Sequence, residues 1–397
     1  MPKKSMDSQE LPAVKVSRKG ANRLTDGHVW VYRSDILAAD GIAPGALIEV
    51  VDERGKFLGM ALYSSASQIA IRMIAKETVK DLDSLLRKRI REAIAYRERV
   101  VRDTDAYRMV FSEGDFLPGL IVDRYNDLLS LQVLTQAMDA EAVRQVIVSE
   151  LTERLKPAAI AERVDPRVRE LEQLAARTSG LLQGEKTSTQ FSMNGVRFHY
   201  DAFEGQKTGA FLDQRENYAA AAQYARGEAL DVFCYHGGFA LHLAPHCAKV
   251  TGVDSSRPAL EVADRNAGLN GCEIEWIEAN AFDLLRDYAS AGQQYDTIVL
   301  DPPAFAKSKS SLETALRGYK ELNLRALKML RPGGILVTCS CSYHVSTDEF
   351  IQVVAQAAHD MHRNLRILES RTQAKDHPIL LSVPETAYLK CLILAVS

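Results

Sequence analysis

A chain of 397 residues, 46% hydrophobic and 25% charged, exceeds what one core usually organises and predicts two or three domains. That composition excludes wholesale disorder, collagen-like repeats and coiled-coil arrays, and the longest apolar runs, such as residues 117–122 and 333–337, are too short to cross a bilayer. The net charge of -3 conceals an asymmetry: residues 1–110 carry 20 Lys+Arg against 15 Asp+Glu and the remainder 29 against 37, so a polyanion is expected to prefer the N-terminal end.

Residues 1–12 read as a flexible tail; MPKKSMDSQE has no apolar core, which predicts a cytoplasmic protein without a membrane partner. Short β-favouring runs at 14–16, 28–32, 46–51, 57–63 and 68–74 are punctuated by Asp40-Gly41, Pro44-Gly45 and Asp52-Glu53-Arg54-Gly55. They predict a small β-barrel over residues 13–75. Leu82, Leu85, Leu86, Ile90, Ala93 and Ile94 then recur at helical spacing. Arg87, Lys88, Arg89, Arg91, Arg97 and Arg99 lie mostly on the other faces, so this helix should pack one side and expose arginine on the other. With strand-like segments at 116–123, 128–135 and 158–163, a helix over 140–155 and a hairpin turn at Asn126-Asp127, it forms a small α/β middle domain over 76–187. The Gly-, Ser- and Thr-rich run 177–190 reads as a linking excursion.

From 188 to 397 the strand-like runs 228–233, 249–254, 274–279, 297–301 and 334–340 alternate with helical sequence. The fold class is therefore α/β, with a doubly wound Rossmann-like sheet that should bind ligands at the carboxyl ends of its strands. The six cysteines, Cys234, Cys247, Cys272, Cys339, Cys341 and Cys391, are too sparse for a disulfide framework, and a single C-x-C is a poor zinc site, so free thiols and no metal are expected.

The first strand of this region leads into Cys234-Tyr235-His236-Gly237-Gly238-Phe239, a turn that presents backbone N–H groups at a helix start. Its adjacent glycines depart from the G-x-G-x-x-G dinucleotide pattern. Asp254, which ends the second strand 23 residues after Asp231, is placed to accept bonds from two ribose hydroxyls. Asn280-Ala281-Phe282 at the third strand end suits an adenine edge and face, and the fourth ends in Asp301-Pro302-Pro303. Singly, each acid reads as a solvated or capping carboxylate; in this order, four strand ends read as one cofactor site.

These segments, with Gly252-Val253-Asp254-Ser255, resemble the class I S-adenosylmethionine-dependent methyltransferases. The resemblance narrows through Lys207-Thr208-Gly209-Ala210-Phe211-Leu212-Asp213-Gln214-Arg215-Glu216-Asn217, Asp301-Pro302-Pro303-Ala304-Phe305, Arg317-Gly318-Tyr319-Lys320, Ser340-Cys341-Ser342, Asp376-His377-Pro378 and Tyr388-Leu389-Lys390. Together they look like the bacterial 23S rRNA cytosine-C5 methyltransferases of the RlmI type, whose N-terminal barrel is a PUA domain. The resemblance implies S-adenosylmethionine as cofactor and 23S rRNA, naked or in an assembling large subunit, as substrate; whether the chain forms a homodimer stays open. It implies that Asp254, with Ser255 beside it, holds the ribose, and that the turn formed by Phe233, Cys234, Tyr235 and Gly237 after Asp231 receives the methionine portion. Gln214 and Asp301 would border the cofactor. Relatives carry an acid where this chain has Asn280, whose amide oxygen is expected to accept from the adenine amino group.

Carbon 5 of cytosine attacks a methyl donor only after a thiolate has added to carbon 6, so this chemistry needs a reactive cysteine. Cys339 and Cys341 alternate on one side of the last predicted strand, and Cys341, nearer the tip and at the family's nucleophile position, is the expected nucleophile. Asp301 is the candidate proton acceptor or orienter, and equally a cofactor or backbone ligand. Phe305 or Tyr343 could stack on a flipped base, and Arg23, Trp30 and Arg33 form a candidate RNA-contacting cluster. Two competing readings are methylation of an exocyclic amine such as guanine N2, with Cys341 idle, and an RNA-binding module with a vestigial cofactor fold.

Overall fold

The computed structural model describes residues 11–204, 209–306 and 308–397, so residues 1–10 of the expected tail and Lys207-Thr208 of the quoted motif lie outside the described residues. The N-terminal strands β1 (Ala13–Val16), β2 (Trp30–Tyr32), β3 (Ile36–Ala38), β4 (Leu47–Val51), β5 (Phe57–Tyr63) and β6 (Ile69–Ala75) form one sheet in the order β2-β6-β5-β4-β1-β3. Its two edge strands are consecutive in the chain, joined only by the 3-10 turn Arg33–Asp35, so the sheet must curl until its edges approach. Alternation sends Val14, Val16, Ile48 and Val50 inward with Val31 and Ile71. Helix α1 (Arg18–Thr25) and β3 are absent from the sequence reading. The helix offers only Ala21 and Leu24 as apolar residues, too few to read as a stripe, and owes its start to Ser17, whose hydroxyl accepts from the Gly20 N–H; β3 is a short, mostly exposed edge.

Helix α2 (Leu82–Val100) buries Leu86, Ile90 and Ala93 against the middle sheet. That sheet takes β7 (Ala106–Phe111), β8 (Leu120–Tyr125), β9 (Leu128–Val133), β10 (Ala159–Glu162) and β11 (Gly180–Gly184) in the order β11-β10-β9-β8-β7. Between strands lie α3 (Gln136–Asp139), α4 (Glu141–Leu155) and α5 (Pro166–Leu171). Asn126 takes a φ of +53° in the two-residue hairpin, as its sequence suggests. The run 177–190 is not an excursion. It supplies β11, an edge strand of half-buried residues, and the start of β12 (Ser188–Met193), which pairs with β13 (Val196–Asp201).

The basic face of α2 holds only in part: Lys88, Arg91 and Arg99 are exposed, as expected. Arg97 is fully buried, and Arg87 and Arg91 join Arg154 around the buried Glu150, whose carboxyl is held down at about 2, chiefly by its bond from Arg91. An acid on the neighbouring helix, invisible to periodicity on α2 alone, decides where those guanidinium groups point.

After α6 (Arg215–Tyr224), seven strands form the C-terminal sheet: β14 (Glu228–Val232), β15 (Lys249–Asp254), β16 (Glu275–Glu278), β17 (Tyr295–Leu300), β18 (Leu330–Ser340), β19 (Leu365–Arg371) and β20 (Lys390–Val396). Helices α7 (Gly238–Leu243), α8 (Arg257–Asn270), α9 (Ala281–Ser290), α10 (Leu312–Met329) and α11 (Thr347–Asp360) connect them. The order β16-β15-β14-β17-β18-β20-β19 reverses between β14 and β17, and β20 alone runs antiparallel, inserted between β18 and β19. A doubly wound sheet opens its crevice at that reversal.

One carboxylate ties the parts together. Asp376, in the loop between β19 and β20, accepts from Arg215 of α6 at 2.6 Å and from the backbone N–H of Arg108 on β7 at 2.8 Å. Its own carbonyl accepts from Arg97 of α2 at 2.7 Å. Buried beside Arg215 and His377, its carboxyl stays well below the usual range. The same loop reaches the barrel, where Glu385 meets His28 at 3.1 Å.

Candidate active site

The turn after β14 is strained: Phe233 and Tyr235 take φ of +68° and +49°, and Gly237 takes +82°. A Cβ on Gly237 would sit 2.9 Å from the Trp276 ring and one on Gly238 2.4 Å from Tyr218, which is the steric reason for two adjacent glycines. Asp231, fully buried, accepts from the Ala240 N–H of α7 at 2.8 Å, while its other oxygen has no protein partner; burial pushes the carboxyl up to about 7. Asp254 accepts from the N–H groups of Tyr235 and Ser256, each at 2.9 Å, and so fastens the turn to the end of β15. Ser255 is exposed beside it, and Ser256 caps α8. Cys234 is buried, and its thiol is pushed well up by that burial.

Asn280 departs from expectation. Its side-chain oxygen caps α9, accepting from the Phe282 and Asp283 N–H groups at 3.0 and 3.3 Å. Both acceptor positions are therefore occupied, and the group it turns outward is the NH2 donor. An oxygen committed to a helix start cannot also accept from an adenine amino group.

Asp301 follows β17 at the reversal. It accepts from Gln214 Nε2 at 2.9 Å; Gln214 in turn accepts from Asn217 at 2.7 Å, and Asn217 from Arg371 at 2.9 Å. Burial, with Asp213 and Asp231 nearby, pushes the Asp301 carboxyl up to about 8. Asp301 shares one cleft with Phe211, Phe233, Cys234, Tyr235 and His236.

Beyond β18, Cys341 is half-buried, its thiol 3.8 Å from the carbonyl oxygen of Pro302, the residue after Asp301. Cys339 is buried in the sheet opposite Cys391, and burial raises its thiol far above the ordinary range. Tyr319 of α10 accepts from the Ser340 hydroxyl at 2.9 Å and meets the Ser342 hydroxyl at 3.0 Å, while Ser342 accepts from the Ala306 N–H. This buried network frames Cys341 on both sides and docks the proline loop. Neither it nor the chain Arg371–Asn217–Gln214 is visible in sequence, because each joins residues far apart along the chain.

The expected RNA cluster is not assembled. Arg33 donates to the Ser64 and Ser67 carbonyls at 2.8 to 3.1 Å, Trp30 donates to Glu113 of the middle domain at 3.0 Å, and Arg23 pairs with Asp35 at 2.9 Å beneath the Tyr32 ring. Each is half-buried and already has a partner that curls the barrel or docks it. Phe305 packs on Tyr319, with ring centroids 4.8 Å apart, whereas Tyr343 is exposed two residues beyond Cys341.

A family model of PUA-like domains matches residues 14–76, and one of S-adenosylmethionine-dependent methyltransferases matches residues 127–394. The ribosomal RNA large subunit methyltransferase I of Shewanella denitrificans is 41% identical over 379 residues, covering 92% of this chain and 94% of its own. That of Klebsiella pneumoniae is 36% identical, covering 97% and 98%. The chain belongs to the ribosomal RNA large subunit methyltransferase I family. In fold it is similar to SMU.776 complexed with SAH, at 18% identity, a TM-score of 0.84 and coverage of 97% and 100%.

As a member of that family the protein is an S-adenosylmethionine-dependent methyltransferase. The donor set fits that cofactor. Among the described residues no lysine or arginine lines the cleft, and burial holds the lining His236 neutral with a value near 3. The lining carboxylate there is Asp301, and Phe211, Phe233, Tyr235 and Phe239 supply rings beside it, which suits an uncharged nucleoside bearing a cationic sulfur.

Proposed function

We propose that the protein methylates carbon 5 of a cytosine in 23S ribosomal RNA, with Cys341 as the nucleophile. The observation that carries this reading is the half-buried Cys341 thiol lying 3.8 Å from the Pro302 carbonyl, one residue beyond Asp301. The curated relatives are named for ribosomal RNA, and the PUA-like match gives the chain a module suited to it.

Addition of the Cys341 thiolate to carbon 6 of the pyrimidine forms an S–C bond and moves an electron pair toward carbon 5 and the ring nitrogen N3. Asp301, its carboxyl pushed up to about 8, is suited to donate a proton to that ring as negative charge develops. Bound S-adenosylmethionine supplies an electrophilic methyl group for carbon 5. Transfer of the carbon 5 proton to water then expels Cys341 as thiolate, and return of the N3 proton to the Asp301 carboxylate restores the neutral aromatic ring. The target base must leave its stack to reach the strand ends, and exposed Tyr343 is placed to stack on it.

For the cofactor we assign Asp254 and Ser255 to the ribose, the turn from Phe233 to Gly237 to the methionine portion, and the Asn280 NH2 to an adenine ring nitrogen, with Gln214 and Asp301 at the border. Incubation with the cofactor and RNA containing 5-fluorocytosine tests the reading, because fluorine at carbon 5 blocks elimination. A stable protein–RNA adduct that disappears in Cys341→Ala is the expected result. Undiminished methylation of an exocyclic amine by a folded Cys341→Ala enzyme would overturn it.

A further inference from the structure

Lys390 opens β20 and pairs across the sheet with Ser340, the residue before Cys341. It is buried, an unusual place for an ammonium group unless a partner offsets the lost hydration. Among the described residues four arginines are equally buried, and each has an acid: Arg97 with Asp115, Arg144 with Glu162, Arg169 with Asp139 and Arg215 with Asp376. Lys390 alone of these buried cations has no carboxylate within 4.0 Å. Two of its three N–H bonds go to the carbonyls of Ser342 at 2.7 Å and Val345 at 2.8 Å, which bracket the loop leaving Cys341.

Two titratable groups face this ammonium: Cys341 at the tip of β18 and Glu349 on α11. Glu349 is engaged in capping its own helix, accepting from the Ser346 N–H and hydroxyl at 2.8 and 2.7 Å. Glu349 keeps its charge but among the described contacts lies beyond 4.0 Å of the ammonium, whereas Cys341 adjoins Ser342, whose carbonyl Lys390 holds. We propose that Lys390 is a positioning residue that holds Cys341 as a thiolate, fixing the loop through two carbonyls and balancing the sulfur's charge from behind the strand. The inference deepens the nucleophilic reading of Cys341 and names what activates it. Burial draws the lysine down to about 8, and it remains an ammonium at neutral pH.

The test needs neither RNA nor cofactor, which separates it from the fate of the cytosine reading. Iodoacetamide alkylation of Cys341 in the full chain, followed peptide by peptide against pH, gives the thiol's midpoint. In the unaltered protein it should lie below the ordinary value of about 8.5. Lys390→Met should raise it by about one pH unit or more, slowing alkylation at pH 7 about tenfold, and Lys390→Arg should restore most of the shift. Cofactor binding, which involves neither residue, reports that the variants are folded. A midpoint at or above 8.5 in the unaltered protein overturns the proposal whatever the variants do, as does an unmoved midpoint in folded Lys390→Met. A shifted midpoint in an enzyme that forms no RNA adduct would leave Lys390 in place and remove the cytosine chemistry.

Discussion

The cations of the N-terminal half and the acids at the ends of β14, β15 and β17 both read in sequence as ligand-binding clusters, but the fold treats them differently. Around the barrel and α2 the guanidinium groups are matched: Arg33 to two carbonyls, Arg23 to Asp35, and Arg87, Arg91 and Arg154 to Glu150. At the strand ends satisfaction is incomplete: Asp231 keeps an oxygen without a protein partner, and Asp231 and Asp301 are pushed up to about 7 and 8. Charge that a fold has already matched holds structure; charge held in an unfavourable setting marks chemistry.

That contrast can be broken in four ways, beginning with the largest effect. Cys341→Ala should lower methyl transfer about a thousandfold or more while cofactor affinity, read by calorimetry, stays within about twofold. Next, Asp254→Ala removes the acceptor for two backbone N–H groups as well as the candidate ribose ligand, and should weaken cofactor binding about 10- to 100-fold. Arg33→Ala, on the matched side, should cost about 1–3 kcal/mol of stability by denaturant titration and leave RNA affinity nearly unchanged. A tenfold loss of RNA affinity at unchanged stability would mean that the barrel's arginines are free after all.

The smallest effect sharpens the other side. Asp301 titrates near 8 in the folded chain and near 4 when unfolded, so in that window the native state holds a proton that the unfolded state has released. Its contribution therefore favours folding below about pH 4 and fades as pH rises toward 8. Asp301→Asn should lose this component, so that its melting temperature relative to the parent rises between pH 6 and pH 8; a flat difference would return Asp301 to the matched class.

Much of the C-terminal sheet was legible because each buried parallel strand is a continuous apolar run closed by a ligand-type residue, as in residues 228–233 and 249–254. The positions of the candidate residues Asp231, Asp254, Asp301 and Cys341 near strand ends were legible for the same reason, since a strand end fixes both depth and direction. What escaped was relational. Helix α1 is set by one hydroxyl cap, β11 is an edge, and Arg97 is buried because Asp115 and the carbonyls of Arg108 and Asp376 wait for it. Asn280 misled because one amide serves equally well as helix cap or base reader, and only the backbone direction decides. Lys390 escaped because a lysine at the start of a strand looks like a solvated end until its neighbours are placed.

The carboxylate of Asp376 makes the molecule a fixed gauge. Because one buried residue ties α2, β7 and α6 to the loop that also touches the barrel, the span from barrel to thiol is held by hydrogen bonds and ion pairs that share a single anchor.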